Sequence, residues 1–133
     1  MAQQADITVK KYDGTTDIVY NALSPSGGDN TPAQWRVNAA GAVASNKPFF
    51  TVSAKYTADK RARIVTCKLI MPETYTDTTT GIVSIRNRVS STFTHIVPLE
   101  IADVTGQEAG AQMANLLKSP LIQTTLQTGF APT

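Results

Sequence analysis

Between Arg36 and Arg88 the chain carries nine cationic side chains: Arg36, Lys47, Lys55, Lys60, Arg61, Arg63, Lys68, Arg86 and Arg88. Only Asp59, Glu73 and Asp77 oppose them, a balance of +6. Segments 1–35 and 89–133 each carry −2, so the formal net charge of +2 conceals a basic middle. That distribution offers one surface to a polyanion. Threonine is the second bias, at 19 of 133 residues. Its branched side chain suits a pleated, half-buried surface and supplies hydroxyls wherever that surface meets water. Lysine and arginine neutralise phosphates, while serine and threonine can bond phosphate, 2′-hydroxyl or base edges.

Other chemistries find no support in the residue types. His95 has no neighbouring Ser, Asp or Cys motif and falls among apolar alternating positions, which reads as a packed histidine. Cys67 is the one cysteine. It cannot form an internal disulfide, and with one histidine it cannot build a structural zinc site. Asp59, Glu73 and Asp77 do not pair as glycosidase carboxylates do. Gly27-Gly28 lacks the Lys-Ser/Thr that a phosphate loop needs. The expectation is no catalytic residue, no metal and no cofactor.

Length and patterning define what must position the basic face. A chain of 133 residues and 14.2 kDa suits one domain. Its 41% hydrophobic content and low net charge argue against disorder. No apolar run reaches the roughly 18 residues of a membrane span. Met1 to Asp6 has neither the basic nor the apolar region of a secretory signal, so the expectation is a soluble, intracellular chain.

Segments 6–12 and 16–23 read as strands around Asp13-Gly14-Thr15, a hairpin signal. Residues 24–32 form a loop by composition, and 34–39 a brief strand with Trp35 and Val37. Three longer strands follow. In the first, Phe50, Val52, Ala54 and Tyr56 alternate with Thr51, Ser53 and Lys55. After a turn at 57–61, Arg63, Val65, Cys67 and Leu69 alternate with Ile64, Thr66, Lys68 and Ile70. Pro72 should end that strand, leaving 73–81, with five threonines, as a mobile loop. In the third, Ile85, Asn87, Val89, Ser91, Phe93, His95 and Val97 alternate with Ser84, Arg86, Arg88, Ser90, Thr92 and Thr94.

The pattern changes after Pro98. Thr105-Gly106-Gln107-Glu108 fits a capping box, and Ala109, Met113, Leu116 and Leu117 make one helical stripe. Ser119-Pro120 starts a second helix with Leu121, Ile122 and Leu126 on its apolar side, and Gly129 is suited to end it. The expected class is α+β: an N-terminal β-hairpin (6–23), an antiparallel sheet of about five strands (33–98) and two C-terminal helices (105–128). One short helix cannot cover the apolar side of such a sheet. A homodimer is the economical answer.

With these elements the chain resembles the coat proteins of the small single-stranded RNA bacteriophages, the levivirus group. The resemblance rests on the Asp-Gly hairpin, Ala40-Gly41-Ala42-Val43, Phe50-Thr51-Val52-Ser53-Ala54 and the turn Asp59-Lys60-Arg61. It extends through the strand from Arg63 to Pro72 and ends in Leu116-Leu117-Lys118-Ser119-Pro120-Leu121-Ile122. It implies a single coat protein domain over 1–133, and a homodimer with a continuous sheet and interlocked helices. It further implies an icosahedral shell, found in the virion and assembled in the bacterial cytoplasm, with the sheet facing a single-stranded RNA genome. An operator hairpin of the RNA, bound to repress replicase translation, would be a further partner; a membrane would not.

Carried across by position, the RNA-facing set is Thr51, Ser53, Lys55, Lys60, Arg61, Thr66, Lys68, Arg86, Arg88, Ser90 and Thr92. The dimer seam would use Met113, Leu116, Leu117, Leu121, Ile122 and Leu126. Contacts between dimers would use the loop Glu73, Thr74, Tyr75, Thr76, Asp77, Thr78, Thr79 and Thr80. Two departures stand out. Ser90 occupies the position where several relatives stack a tyrosine on an RNA base, and Ala62 and Ile64 stand where relatives have Asn or Lys. The loop also lacks the cysteines with which some relatives crosslink their shells.

Two alternatives remain open at this level. A non-assembling dimeric RNA-binding module would use the same face, but should show aromatics for base stacking, and the polar side as registered shows none. A one-residue slip of the first long strand would instead turn Phe50 and Val52 to the RNA.

Overall fold

The computed structural model describes residues 2–39 and 43–133. Met1 and residues 40–42, the latter part of the Ala40 to Val43 stretch in the resemblance, lie outside the described residues. The chain divides into two compact units, Met1–Ile96 and Val97–Thr133.

The first unit is built on strands β1 (Ile7–Lys10), β2 (Asp17–Ser24), β3 (Ala33–Arg36), β4 (Phe49–Tyr56), β5 (Ala62–Thr76) and β6 (Val83–Pro98, whose last residues open the second unit). They form one six-stranded antiparallel sheet in sequence order, β1 and β6 at its edges. The count is six because the hairpin joins the sheet: Asn21 pairs with Arg36 and Ala22 with Trp35. A bulge between Ala22 and Ser24 is held by Asp6, whose carboxylate accepts from the Ala22 amide (2.8 Å) and the Asn21 side chain (3.2 Å).

Register sorts the side chains into two faces. Trp35 pairs with Phe50 and Phe50 with Leu69, while Ala33 pairs with Val52 and Val52 with Cys67. On this face Tyr20, Trp35 and Val37 are the buried core, and Ile18, Ala22, Ala33, Phe50, Val52 and Leu69 pack against them. The Phe50 ring lies 5.6 Å from Trp35 and 6.4 Å from Tyr20. The Trp35 indole N–H donates to the Ala5 carbonyl at 2.8 Å, which satisfies its polar end. Cys67 lies half-buried on the same face, and burial pushes its thiol pKa up. Packing of Phe50 rules out the one-residue slip, because that slip would turn Phe50 away from Trp35.

The β1–β2 turn forms where Asp-Gly predicted it, with Gly14 at a φ of 73° that favours glycine. The Asp13 carboxylate accepts from the amides of Thr15 (3.0 Å) and Thr16 (2.9 Å) and from the Thr16 hydroxyl (2.5 Å). These bonds favour the charged form and hold its pKa down to about 2, from an ordinary 3.8. A depressed folded-state pKa means the stabilisation is complete above the unfolded value and lost as pH falls through the folded one. Hairpin order should therefore weaken between about pH 4 and pH 2. Asp13→Asn should remove that pH dependence, which amide chemical shifts of Thr15 and Thr16 would report. An unchanged acid profile in Asp13→Asn would exclude this turn as its source.

Two expectations are corrected at the far end of the sheet. Pro72 does not end β5, which runs to Thr76. Pairing with β4 stops at Ile70, so Pro72 lies where the β4 side has no ladder to lose. Glu73, Thr74, Tyr75 and Thr76 are consequently strand residues, and the mobile loop expected over 73–81 shrinks to a short turn. Asp77 organises that turn: its amide donates to Ile82 O (2.9 Å), and its carboxylate accepts from the amides of Thr79 (2.8 Å) and Thr80 (3.2 Å).

The second unit holds α1 (Asp103–Lys118) and α2 (Pro120–Thr128). The capping box expected at Thr105 does not form, because α1 starts two residues earlier with Asp103 in its first turn. An acidic residue there suits the positive end of the helix dipole. Glu108 instead accepts from Gln112, one turn on (2.7 Å). Ser119 precedes Pro120 as expected, but its hydroxyl donates back to Leu116 O (2.7 Å) and closes α1 rather than capping α2. Gly129 ends α2 in the left-handed conformation at φ 80°.

Candidate functional site

The face opposite Tyr20 and Trp35 is built row by row. Across β2, β3, β4 and β5 run Asn21, Arg36, Phe49 and Ile70. The next row is Gln34, Thr51 and Lys68, then Ser53 with Thr66, then Lys55 with Ile64. Five residues expected on one surface from alternation alone (Thr51, Ser53, Lys55, Thr66 and Lys68) are thus cross-strand neighbours. Directly paired side chains stand about 5 Å apart at Cβ, so hydroxyls and amines here can converge on one ligand. Lys55 and Lys68 are exposed, while Thr51, Ser53 and Thr66 are half-buried.

The remaining cations do not all join this patch. Lys60 and Arg61 lie in the β4–β5 turn, Lys60 in the left-handed region at φ 58°. Asp59 shares that turn: the Thr57 hydroxyl (2.6 Å) and the Arg61 amide (3.1 Å) donate to its carboxylate and pull its pKa down. The turn therefore carries a fixed anion beside its two cations. Arg63 points to the opposite face, paired with Tyr56 and 4.4 Å above its ring. A salt bridge to Asp29 (2.7 Å) neutralises it and raises its pKa further. Lys47 donates to the Asn38 carbonyl at 2.9 Å.

On β6, Arg86 lies 5.3 Å from the Tyr75 ring, near the distal turn. Arg88, Ser90 and Thr92 follow it on the exposed outer strand, alternating with Phe93 and His95. The Phe93 and His95 rings stack at 6.3 Å, so His95 is packed on an aromatic neighbour. Among the described residues no group of three or more His, Cys, Asp or Glu could hold a metal ion. Among the same residues no helix is long and apolar enough to cross a membrane.

Phe49 was missed by sequence reading. It lies at the start of β4, one residue before the alternation read from Phe50 onward. Register puts it on the polar face, between Arg36 and Ile70, so that face does carry an aromatic. The signal available was parity with Thr51 and Ser53.

The helix residues expected at a dimer seam present apolar surface. Leu116, Leu121 and Leu126 are exposed at 58, 62 and 68%, and Met113, Leu117 and Ile122 are half-buried. No residue of either helix is fully buried.

A six-stranded meander followed by two C-terminal helices is the coat protein fold of the single-stranded RNA bacteriophages. Among solved structures, the chain is similar to the virus-like particle of bacteriophage NT-214, with a TM-score of 0.80 and 17% identity over 99% of this chain and 100% of that one. It is similar to the bacteriophage EMS014 coat protein (TM-score 0.79, 15% identity, 99% and 100% covered). The capsid protein of bacteriophage GA also matches (TM-score 0.72, 17% identity, 94% of each chain). No protein-family model matches the chain, and no curated protein sequence does.

Proposed function

We propose that this chain is a structural coat protein whose dimers assemble into an icosahedral shell around single-stranded RNA. The observation that carries the reading is the coat protein fold over 99% of the chain. Two features support self-association. The first is β6, 16 residues long at an open sheet edge, with Val89 and Ile96 exposed at 64 and 57%. An edge of that length left unpaired is an aggregation hazard, which pairing with the same strand of a second copy removes. The second is the exposed apolar surface of α1 and α2, which a partner's sheet would cover.

Genome contact falls to the face bearing Thr51, Ser53, Lys55, Thr66 and Lys68, with Arg88, Ser90 and Thr92 extending it on β6. Its chemistry suits phosphate and 2′-hydroxyl groups, which every RNA sequence presents. Recognition of one operator hairpin, and repression through it, would need base readout beyond this charge and hydroxyl set. Contacts between dimers would fall to the exposed residues Glu73 to Thr76 at the end of β5 and Thr78 to Thr80 in the turn. Such a shell would be part of a virion, assembled in the bacterial cytoplasm.

The test is expression of this chain alone in bacteria, followed by size-exclusion chromatography with absorbance at two wavelengths and negative-stain microscopy. Uniform spheres near the void volume, with excess nucleic-acid absorbance, are the expected result. A stable two-chain species that binds RNA but yields no particles at any salt would favour the free RNA-binding module.

A further inference from the structure

We propose that Phe49 is a base-stacking platform on the RNA-facing side of the sheet, giving this surface a contact with nucleobases in addition to phosphates. The inference rests on the reading of that face as an RNA contact. Three observations carry it. Phe49 shares its face with Thr51 and Lys68 by cross-strand register, while its chain neighbour Phe50 is turned to the other side and packs on Trp35. It is half-buried, and it is absent from the residues packed against the core of Tyr20, Trp35 and Val37. It is also bracketed by cations: Arg36 is its direct partner on β3, and Lys68, paired with Thr51, is its diagonal neighbour on β5.

That geometry is the combination single-strand binders use: an aromatic face for a base, with positive charge on either side to hold the flanking phosphates. Diagonal neighbours on a sheet stand about 7–8 Å apart, within reach of a long lysine side chain. Arg36 is steadied by the bond from its Nε to Asn38 Oδ1 at 3.0 Å. Thr51 and Gln34 in the adjoining row add polar groups that can bond a base edge or a ribose hydroxyl. Stacking of this kind tolerates any base. It therefore suits a surface that must hold a whole genome.

The test uses the purified full-length protein and two short single-stranded RNAs of the same length. One carries a 2-aminopurine among ordinary bases, and the other is abasic. The wild type should bind the base-bearing RNA with quenching of the 2-aminopurine fluorescence. Phe49→Leu keeps apolar bulk on the face and guards against a variant that fails to fold. It should bind that RNA about 5- to 10-fold more weakly and lose the quenching, with abasic RNA unaffected. Phe49→Trp should restore both. Equal affinity and quenching in Phe49→Leu would overturn the proposal and leave Phe49 as a residue that only fills the face. If the wild type binds neither RNA, the RNA-contact reading itself fails and the stacking platform with it.

Discussion

Lys55→Ala together with Lys68→Ala is expected to weaken binding of single-stranded RNA on the order of 10-fold at about 0.15 M salt. Each lysine that neutralises a phosphate releases counterion, and for single strands this contributes roughly 0.7 to the slope of log affinity against log salt. Two lost contacts should lower that slope by about 1.4. The prediction falls on these two because they are exposed and share the polar face, Lys68 paired with Thr51 and Lys55 with Ile64. Arg63→Ala is the contrasting variant. Its guanidinium is on the other face and already engaged by Asp29, so the salt slope should not move. Fluorescence anisotropy of a labelled RNA across a salt series measures both. An unchanged slope in the folded double variant would remove this face as the site of RNA contact.

Trp35→Ala is expected to cost about 3–5 kcal/mol of stability, with about 1 kcal/mol more for the lost bond to Ala5. Trp35 is one of three buried hydrophobic residues among those described, and Tyr20, Val37 and Phe50 gather around it. A loss of this size is a large fraction of the roughly 5–15 kcal/mol that holds a typical domain together. Urea denaturation at fixed protein concentration, since association would shift the midpoint, provides the measurement. Trp35→Phe should cost less, because a ring remains while the Ala5 carbonyl loses its donor. A change below about 1 kcal/mol in Trp35→Ala would show that the cluster is not the centre of the core.

The lysine pair and Phe49 mark how far the site could be read before folding. Alternation separated Thr51, Ser53 and Lys55 from Phe50 and Val52, because successive side chains on a strand point to opposite faces. The same rule applied to Phe49 would have placed it on the polar side. Pairing with Arg36 and Ile70 puts it there in the structure. The basic middle was legible as composition but not as a surface. Its nine cations separate into a patch, a turn shared with Asp59, an ion pair on the far face, a stretch of β6 and Lys47, which is bonded to the Asn38 carbonyl.

Local signals fared best where the interaction is local. The Asp13-Gly14 turn, the Ser119-Pro120 break and the Gly129 stop each depend on residues within one turn of chain, so types alone determined them. Element class followed from periodicity in the same way. The end of β5 and the start of α1 did not, since a proline is tolerated only when the neighbouring ladder has stopped, and a helix start depends on which orphan amides find partners. The sequence by itself thus determined the strand-then-helix order, the two-sided strands and the turn chemistry. Which residues share a face, which cations are already neutralised and which edge lies open were decided by tertiary structure alone, because each depends on pairing between segments distant in the chain.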